Sequence, residues 1–297
     1  MQNKLKYVAV GLMAALLTAL CLAQAPNLDV ALGEQMVMVP VGSGIFGVKL
    51  ETTIFKPPGN GPFPLLMMNH GKAPGDTHFQ PRARYLAISR EFVKRGYAVV
   101  IPMRKGFSQS TGLYVAGGCN IAGNGRAQAD DLQDALEYAL AQPWVDKSRI
   151  VIAGQSHGGL TTMAFGSRNF PGVKGLINFA GGLRLESCTW RTALVDAFAD
   201  YGATTKVPSV WFYGANDSYF SPDVAAKMLA AYNAAGGHAT LIAYGPFKND
   251  SHGMSNSRDG VAIWWPETEK FLKAIGMPTE VLAVPVNASP GAGANIN

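Results

Sequence analysis

The chain has 297 residues, of which 48% are apolar and 15% charged, with 34 Gly and 18 Pro. That composition supplies the core of one large domain or two small ones and excludes a disordered polyelectrolyte. The formal charge of +5 comes from 25 basic and 20 acidic residues, and without any run of Lys or Arg it points away from nucleic acid; no repeat of solenoid or propeller period is visible.

Residues 1–25 read as a secretory signal. Lys4 and Lys6 form the positive start, 8–22 is almost wholly apolar, and Ala23-Gln24-Ala25 offers small residues for cleavage. The apolar stretch is shorter than the roughly 20 residues of a spanning helix, and Leu20 before Cys21 is too large for lipoprotein processing. The expectation is a secreted or periplasmic protein that starts near Pro26, carries 23 basic against 20 acidic residues (+3) and has no membrane attachment. Cys119 and Cys188 then remain, either as a disulfide or as two unpaired small core residues. Neither lies in a CxxC pair and the five His lack metal-site spacing, so no metal is expected.

Alternating residues at 35–40 and 46–55 predict an antiparallel hairpin. Gly42, Gly44 and Gly47 in its turn spell G-x-G-x-x-G, but the following Val48-Lys49-Leu50-Glu51-Thr52 has strand period. A dinucleotide phosphate would meet no helix N-terminus there. From residue 60, unbroken apolar strands at 63–69, 97–103, 149–153, 173–179, 209–213 and 240–243 alternate with helical patterns at 82–95, 127–142, 159–167, 222–235 and 261–274. This is the signature of a mostly parallel sheet with helices on both faces. Segments 108–125 and 182–206 fit no element and are expected as loops or a short cap over a site. The domain is expected to run over 26–280, and 281–297 to be a disordered tail.

The informative stretch is Gly154-Gln155-Ser156-His157-Gly158, between a buried strand and a helical segment. Gly-x-Ser-x-Gly in that position presents the Ser on a sharp, strained turn at the top of the sheet. A Ser hydroxyl needs a base to take its proton and a carboxylate to orient the base. In this architecture the acid and then the His follow the Ser. Asp217 ends the 209–213 strand segment, with Asp223 and Asp250 as reserves; His252 precedes the last helix, whereas His238 lies before a strand, at the wrong edge of the sheet. The oxyanion requires two N–H donors. One is assigned to His157 and the other to Lys72, in the loop Asn69-His70-Gly71-Lys72. The His70 and His157 side chains are expected to be structural hydrogen-bonders.

Asn69-His70-Gly71, the run from Arg104 to Gly112, the 154–158 elbow, Gly214-Ala215-Asn216-Asp217 and Ser251-His252-Gly253 together resemble the α/β-hydrolase superfamily. Within it the chain is similar to the dienelactone-hydrolase and prolyl-oligopeptidase-like esterase branch, over residues 35–275. The resemblance implies an α/β-hydrolase fold and a catalytic triad without cofactor. Dienelactone hydrolases use a Cys nucleophile where this chain has Ser156, and the oligopeptidases carry a large N-terminal propeller for which about 30 residues leave no room. The expected activity is hydrolysis of small carboxylic esters through an acyl-enzyme. The alternatives are a small-amide or peptide hydrolase with the same triad, and a catalytically silent binding protein. Phe107, Trp190, Tyr219 and Phe220 are expected to be pocket or core aromatics.

Overall fold

The structure, a computed structural model, describes residues 27–42 and 47–282. The expected signal at 1–25, most of the expected tail, from 283 onward, and residues 43–46 of the expected turn, including Gly44 and Phe46, lie outside the described residues. From Ala31 onward the described residues form one compact unit. Eight strands make one sheet: β1 (Glu34–Val41), β2 (Val48–Phe55), β3 (Phe63–Asn69), β4 (Ala98–Pro102), β5 (Val145–Gln155), β6 (Val173–Phe179), β7 (Ser209–Gly214) and β8 (Ala239–Tyr244), in spatial order β1-β2-β4-β3-β5-β6-β7-β8. β1 and β2 are antiparallel, β2 meets β4 antiparallel, and the remaining pairs are parallel. This is the mostly parallel sheet expected from the alternation of strands and helices, and the α/β-hydrolase fold implied by the resemblance.

Strand period 2 divides the core. Leu65, Met67, Ile150 and Ile152 face one layer; Leu66, Met68, Val151 and Ala153 face the other. The first layer holds α2 (Ile121–Leu140), α3 (His157–Gly166), α4 (Trp190–Gly202) and α5 (Pro222–Ala234), through residues such as Leu132, Leu160, Leu194 and Met228. The second holds α1 (Leu86–Val93) and α6 (Val261–Ala274), through Phe92, Trp264 and Leu272. Burial on both faces explains why the central strands read as unbroken apolar runs.

Four elements differ from expectation. Helix α1 starts at Leu86 rather than 82, because Tyr85 before it holds a left-handed backbone with φ 41°. Segment 182–206 contains α4, whose Trp190, Leu194, Ala197, Phe198 and Tyr201 are buried at helical spacing between polar positions. Helix α2 starts at Ile121 rather than 127 because the Asn120 side chain accepts from the Gly123 N–H at 2.8 Å. Gly125, which reads as a loop glycine, lies inside that helix; a Cβ there would sit 2.2 Å from the Tyr201 hydroxyl. Strand β5 begins at Val145, four residues before the apolar run. Its first part pairs with Phe63 before a register shift.

Cys119 and Cys188 form a disulfide, with Cα atoms 5.7 Å apart. It joins the two segments expected to lie over the site.

Candidate active site

Ser156 stands between the last residue of β5 and the first of α3, with φ 56° and ψ −123°. A non-glycine residue in that region is strained, and the packing that imposes it is visible in its neighbours. A Cβ on Gly154 would lie 2.1 Å from the Gly158 carbonyl oxygen, and one on Gly158 would lie 2.1 Å from that of Asn69. Ser156 occupies the N-cap position, where a serine usually turns its hydroxyl onto the helix backbone. Here it makes no such side-chain bond.

Asp217 follows β7, and its carboxylate is fully buried. Oδ1 accepts from the Tyr219 and Phe220 N–H groups at 2.8 and 2.9 Å. His252 lies in a short 3-10 turn, Ser251–Asn256, and its Nδ1 is 3.2 Å from Oδ1 and 3.1 Å from Oδ2 of Asp217. Because a carboxylate only accepts, Nδ1 carries the hydrogen, and the lone pair of Nε2 is left for another donor. Tyr219 packs on the imidazole with centroids 4.4 Å apart. Ser156 and His252 line the same cavity of about 480 Å³. Among the described residues, the Ser156 hydroxyl forms no hydrogen bond to His252; such contacts often tighten only when substrate is bound.

The two reserve acids do other work. Asp250 accepts from the N–H and hydroxyl of Ser218 at 3.1 and 2.6 Å and from the His252 N–H at 2.9 Å. It thereby ties the Asp217 loop to the His252 turn, and these donors hold its carboxyl below the usual range against the opposing effect of burial. Asp223 pairs on the surface with Lys227. His238 lies by the N-terminal end of β7, where its carbonyl accepts from the Ser209 N–H.

On the other side of Ser156, His157 is the first residue of α3, and Lys72 lines the same cavity as Ser156. Among the described residues, neither the His157 N–H nor the Lys72 N–H makes a hydrogen bond. The neighbouring Gly71 N–H is taken by the Tyr85 hydroxyl at 3.0 Å. A Cβ on Gly71 would lie 2.6 Å from Oε1 of Gln155 and 3.3 Å from Cβ of Ser156, so only glycine brings this loop so close.

Several supporting residues carry no motif of their own. Gln155 donates to the His252 carbonyl at 3.1 Å and accepts from the Tyr85 hydroxyl at 3.3 Å. Burial pushes the Tyr85 phenol up to about 12, so it stays a donor. Arg104, fully buried, donates to the His70 carbonyl at 2.7 Å, to Nδ1 of His157 at 3.0 Å and to Gln128 at 3.0 Å. Burial pulls its pKa down to about 10, which leaves it charged at neutral pH. His70 and His157 are held well below 6.5, first by burial and then by the Arg104 charge. They are therefore neutral, hydrogen-bonded supports. Phe107 is buried against His70 and Tyr114, and Trp190 packs behind Phe220; Tyr219 and Phe220 reach the cavities beside Ser156. Among the described residues, no group of three His, Cys, Asp or Glu side chains is placed to hold a metal ion.

The chain is similar in sequence and in fold to known proteins. Cocaine esterase of Rhodococcus sp. (strain MB1 Bresler) is 27% identical over 154 residues, which are 52% of this chain and 24% of that protein. Protein bem46 of Schizosaccharomyces pombe is 32% identical over 116 residues, 38% of this chain and 33% of that protein. The matched regions thus span about a quarter and a third of these relatives. Two solved structures share the fold. An esterase of Pyrococcus furiosus has a TM-score of 0.61 at 15% identity, covering 85% of this chain and 95% of that one. A Klebsiella pneumoniae protein assigned as a dienelactone hydrolase has a TM-score of 0.59 at 17% identity, covering 82% and 98%. Residues 46–203, which include the elbow and stop short of Asp217 and His252, match the X-Pro dipeptidyl-peptidase (S15) family. The chain belongs to that family, within the α/β-hydrolase superfamily.

Proposed function

We propose that this protein is an exported serine hydrolase that cleaves carboxylic esters of small molecules through an acyl-enzyme. Ser156 is the nucleophile, His252 the general base and then acid, Asp217 the orienting carboxylate, and the His157 and Lys72 N–H groups the oxyanion donors. The observation that carries the reading is the Asp217–His252 pair, whose imidazole lines the same cavity as a strained serine with a hydroxyl not spent on capping its helix.

In the first half-reaction the Ser156 oxygen bonds to the carbonyl carbon while His252 takes its proton. The carbonyl oxygen becomes an oxyanion, for which two backbone donors and the N-terminus of α3 supply stabilisation. The bond to the leaving alcohol breaks as His252 returns the proton to it. Water then attacks the acyl-enzyme by the same route and restores Ser156. The chemistry needs no organic cofactor or metal. Export rests on the 1–25 segment and is supported by the Cys119–Cys188 disulfide, which persists in an oxidising compartment.

Family membership favours a second reading, cleavage of a small amide or peptide by the same residues. Purified protein is expected to be labelled by a fluorophosphonate probe at Ser156, with labelling abolished in Ser156→Ala. Folded wild-type protein that resists the probe and turns over no ester would instead be a silent binding protein. Rates on p-nitrophenyl acyl esters against aminoacyl anilides separate esterase from amidase, with the esters expected to be faster.

A further inference from the structure

Ser156 lies on the boundary of two cavities. The first, of about 480 Å³, includes His252 and the polar residues Gln80, Arg82, Gln155 and Asn256. The second, of about 410 Å³, includes His157 and is lined by the apolar Tyr114, Leu183, Leu185 and Phe220, with Arg184 and Ser187 among its polar members. Tyr219, packed at a tilt on the His252 ring, borders both, as does Lys72.

Resting on the serine-hydrolase reading, we infer that the cavity lined by Tyr114, Leu183, Leu185 and Phe220 receives the acyl group, and that the His252 cavity receives the leaving alcohol. The substrate class is then an ester of a bulky apolar acid, aromatic or branched, with a polar, hydrogen-bonding alcohol. The argument is stereochemical. With the carbonyl carbon on Ser156 and its oxygen at the His157 and Lys72 N–H groups, two substituents remain to be placed. The proton that His252 takes from Ser156 must go to the departing oxygen as the carbon–oxygen bond breaks, so that oxygen lies on the His252 side. The acyl substituent is left with the second cavity, which contains His157 but not His252. Apolar acyl surface is favoured there because its burial removes area from water while Arg184 keeps its bonds to Glu186 and the Ser218 carbonyl, whereas the first cavity presents the Asn256 amide, which among the described residues makes no side-chain hydrogen bond and can bond hydroxyl or amide groups.

The disulfide defines the acyl cavity's walls. Gly118 and Ser187, which line it, adjoin Cys119 and Cys188. The bridge therefore ties the 114–118 wall to the 182–187 wall, and the size of acid accepted depends on it.

Two ester series test the inference, one varying the acid on p-nitrophenol and one varying the alcohol on a single acid. Ala116 and Asn256 are exposed residues that line the acyl and alcohol cavities respectively. Ala116→Trp is expected to lower kcat/KM for the bulkiest acids by about tenfold or more while the ranking of alcohols stands. Asn256→Trp is expected to reorder the alcohols and leave the ranking of acids. Esters that share an acid form the same acyl-enzyme, so Ala116→Trp should change their deacylation rate by one common factor. Leu185→Trp serves as a second filling variant, and circular dichroism with probe labelling confirms that each variant is folded. Reordering of alcohols by Ala116→Trp or of acids by Asn256→Trp, or no reordering by either, overturns the assignment with the hydrolase reading intact. Loss of labelling and turnover in wild-type protein overturns both.

Discussion

The fully buried guanidinium of Arg104 donates from Nη2 to Nδ1 of His157 across 3.0 Å. That contact fixes the imidazole's tautomer, so Nε2–H donates to Asn124 at 2.7 Å. The same guanidinium holds the His70 carbonyl, two residues before Lys72. One buried cation thus braces both segments that carry the proposed oxyanion donors. Arg104→Met strands the His70 carbonyl, Nδ1 of His157 and the Gln128 side-chain oxygen, at roughly 1–3 kcal/mol each. A loss of several kcal/mol in urea unfolding and a fall in kcat are expected, with Arg104→Lys intermediate because an ammonium cannot reproduce the planar fork.

Asp217→Asn should leave the fold intact and lower kcat by roughly 10⁴-fold, as in other triads whose acid is neutralised. Asp250→Ala removes the clamp between the Ser218 and His252 loops and should cost about 1–2 kcal/mol of stability, as loss of a side-chain cap does. Its effect on kcat should be far smaller than that of Asp217→Asn. Steady-state kinetics and thermal melts on the two variants check the assignment of roles; equal kinetic losses would contradict it.

Stability should fall as pH drops below about 6.5. His70 and His157 are neutral in the folded protein because burial and Arg104 hold their pKa values well below 6.5. In the unfolded chain they protonate at the ordinary value. Below that value the unfolded state binds more protons, by up to one for each ring, and every extra proton steepens the fall by about 1.4 kcal/mol per pH unit. Above it neither state binds them and their full contribution is present. Urea midpoints between pH 5 and 8 measure the slope, which should shrink in His70→Asn.

Reduction should destabilise the protein. The bridge spans 69 positions in sequence, and a loop of that length implies about 4 kcal/mol from restriction of the unfolded chain. Cys119→Ser/Cys188→Ser should show that loss in non-reducing buffer, and a dithiol should lower the melting temperature of wild-type protein but not of the double variant.

The elbow was legible because its constraint is local: Gly154 and Gly158 crowd each other within five residues, so any chain folding this way must use glycine there. The hairpin, the parallel strands and most helices were legible from periodicity, which reflects which face each element buries. Helix α4 is hidden in the sequence although its apolar spacing is helical, because the approach through Arg184, Glu186, Ser187 and Thr189 is polar and masks its start. The start of α2 was missed because Gly123 and Gly125 read as loop residues until Tyr201 is seen packed against the second of them.

By itself the sequence determined the architecture and the strained serine, and it supplied the order in which the proposed acid and base follow it, since these depend on side-chain pattern and steric limits within short segments. The tertiary structure decided which of three aspartates meets the His252 imidazole, whether the two cysteines pair, and that Arg104 sits buried between His70 and His157. Each of these is a contact between residues tens of positions apart, 35 for Asp217 and His252, 53 for Arg104 and His157 and 69 for the cysteines. Residue type permits such contacts, but only the packing of the layers brings the partners within hydrogen-bonding or bridging distance.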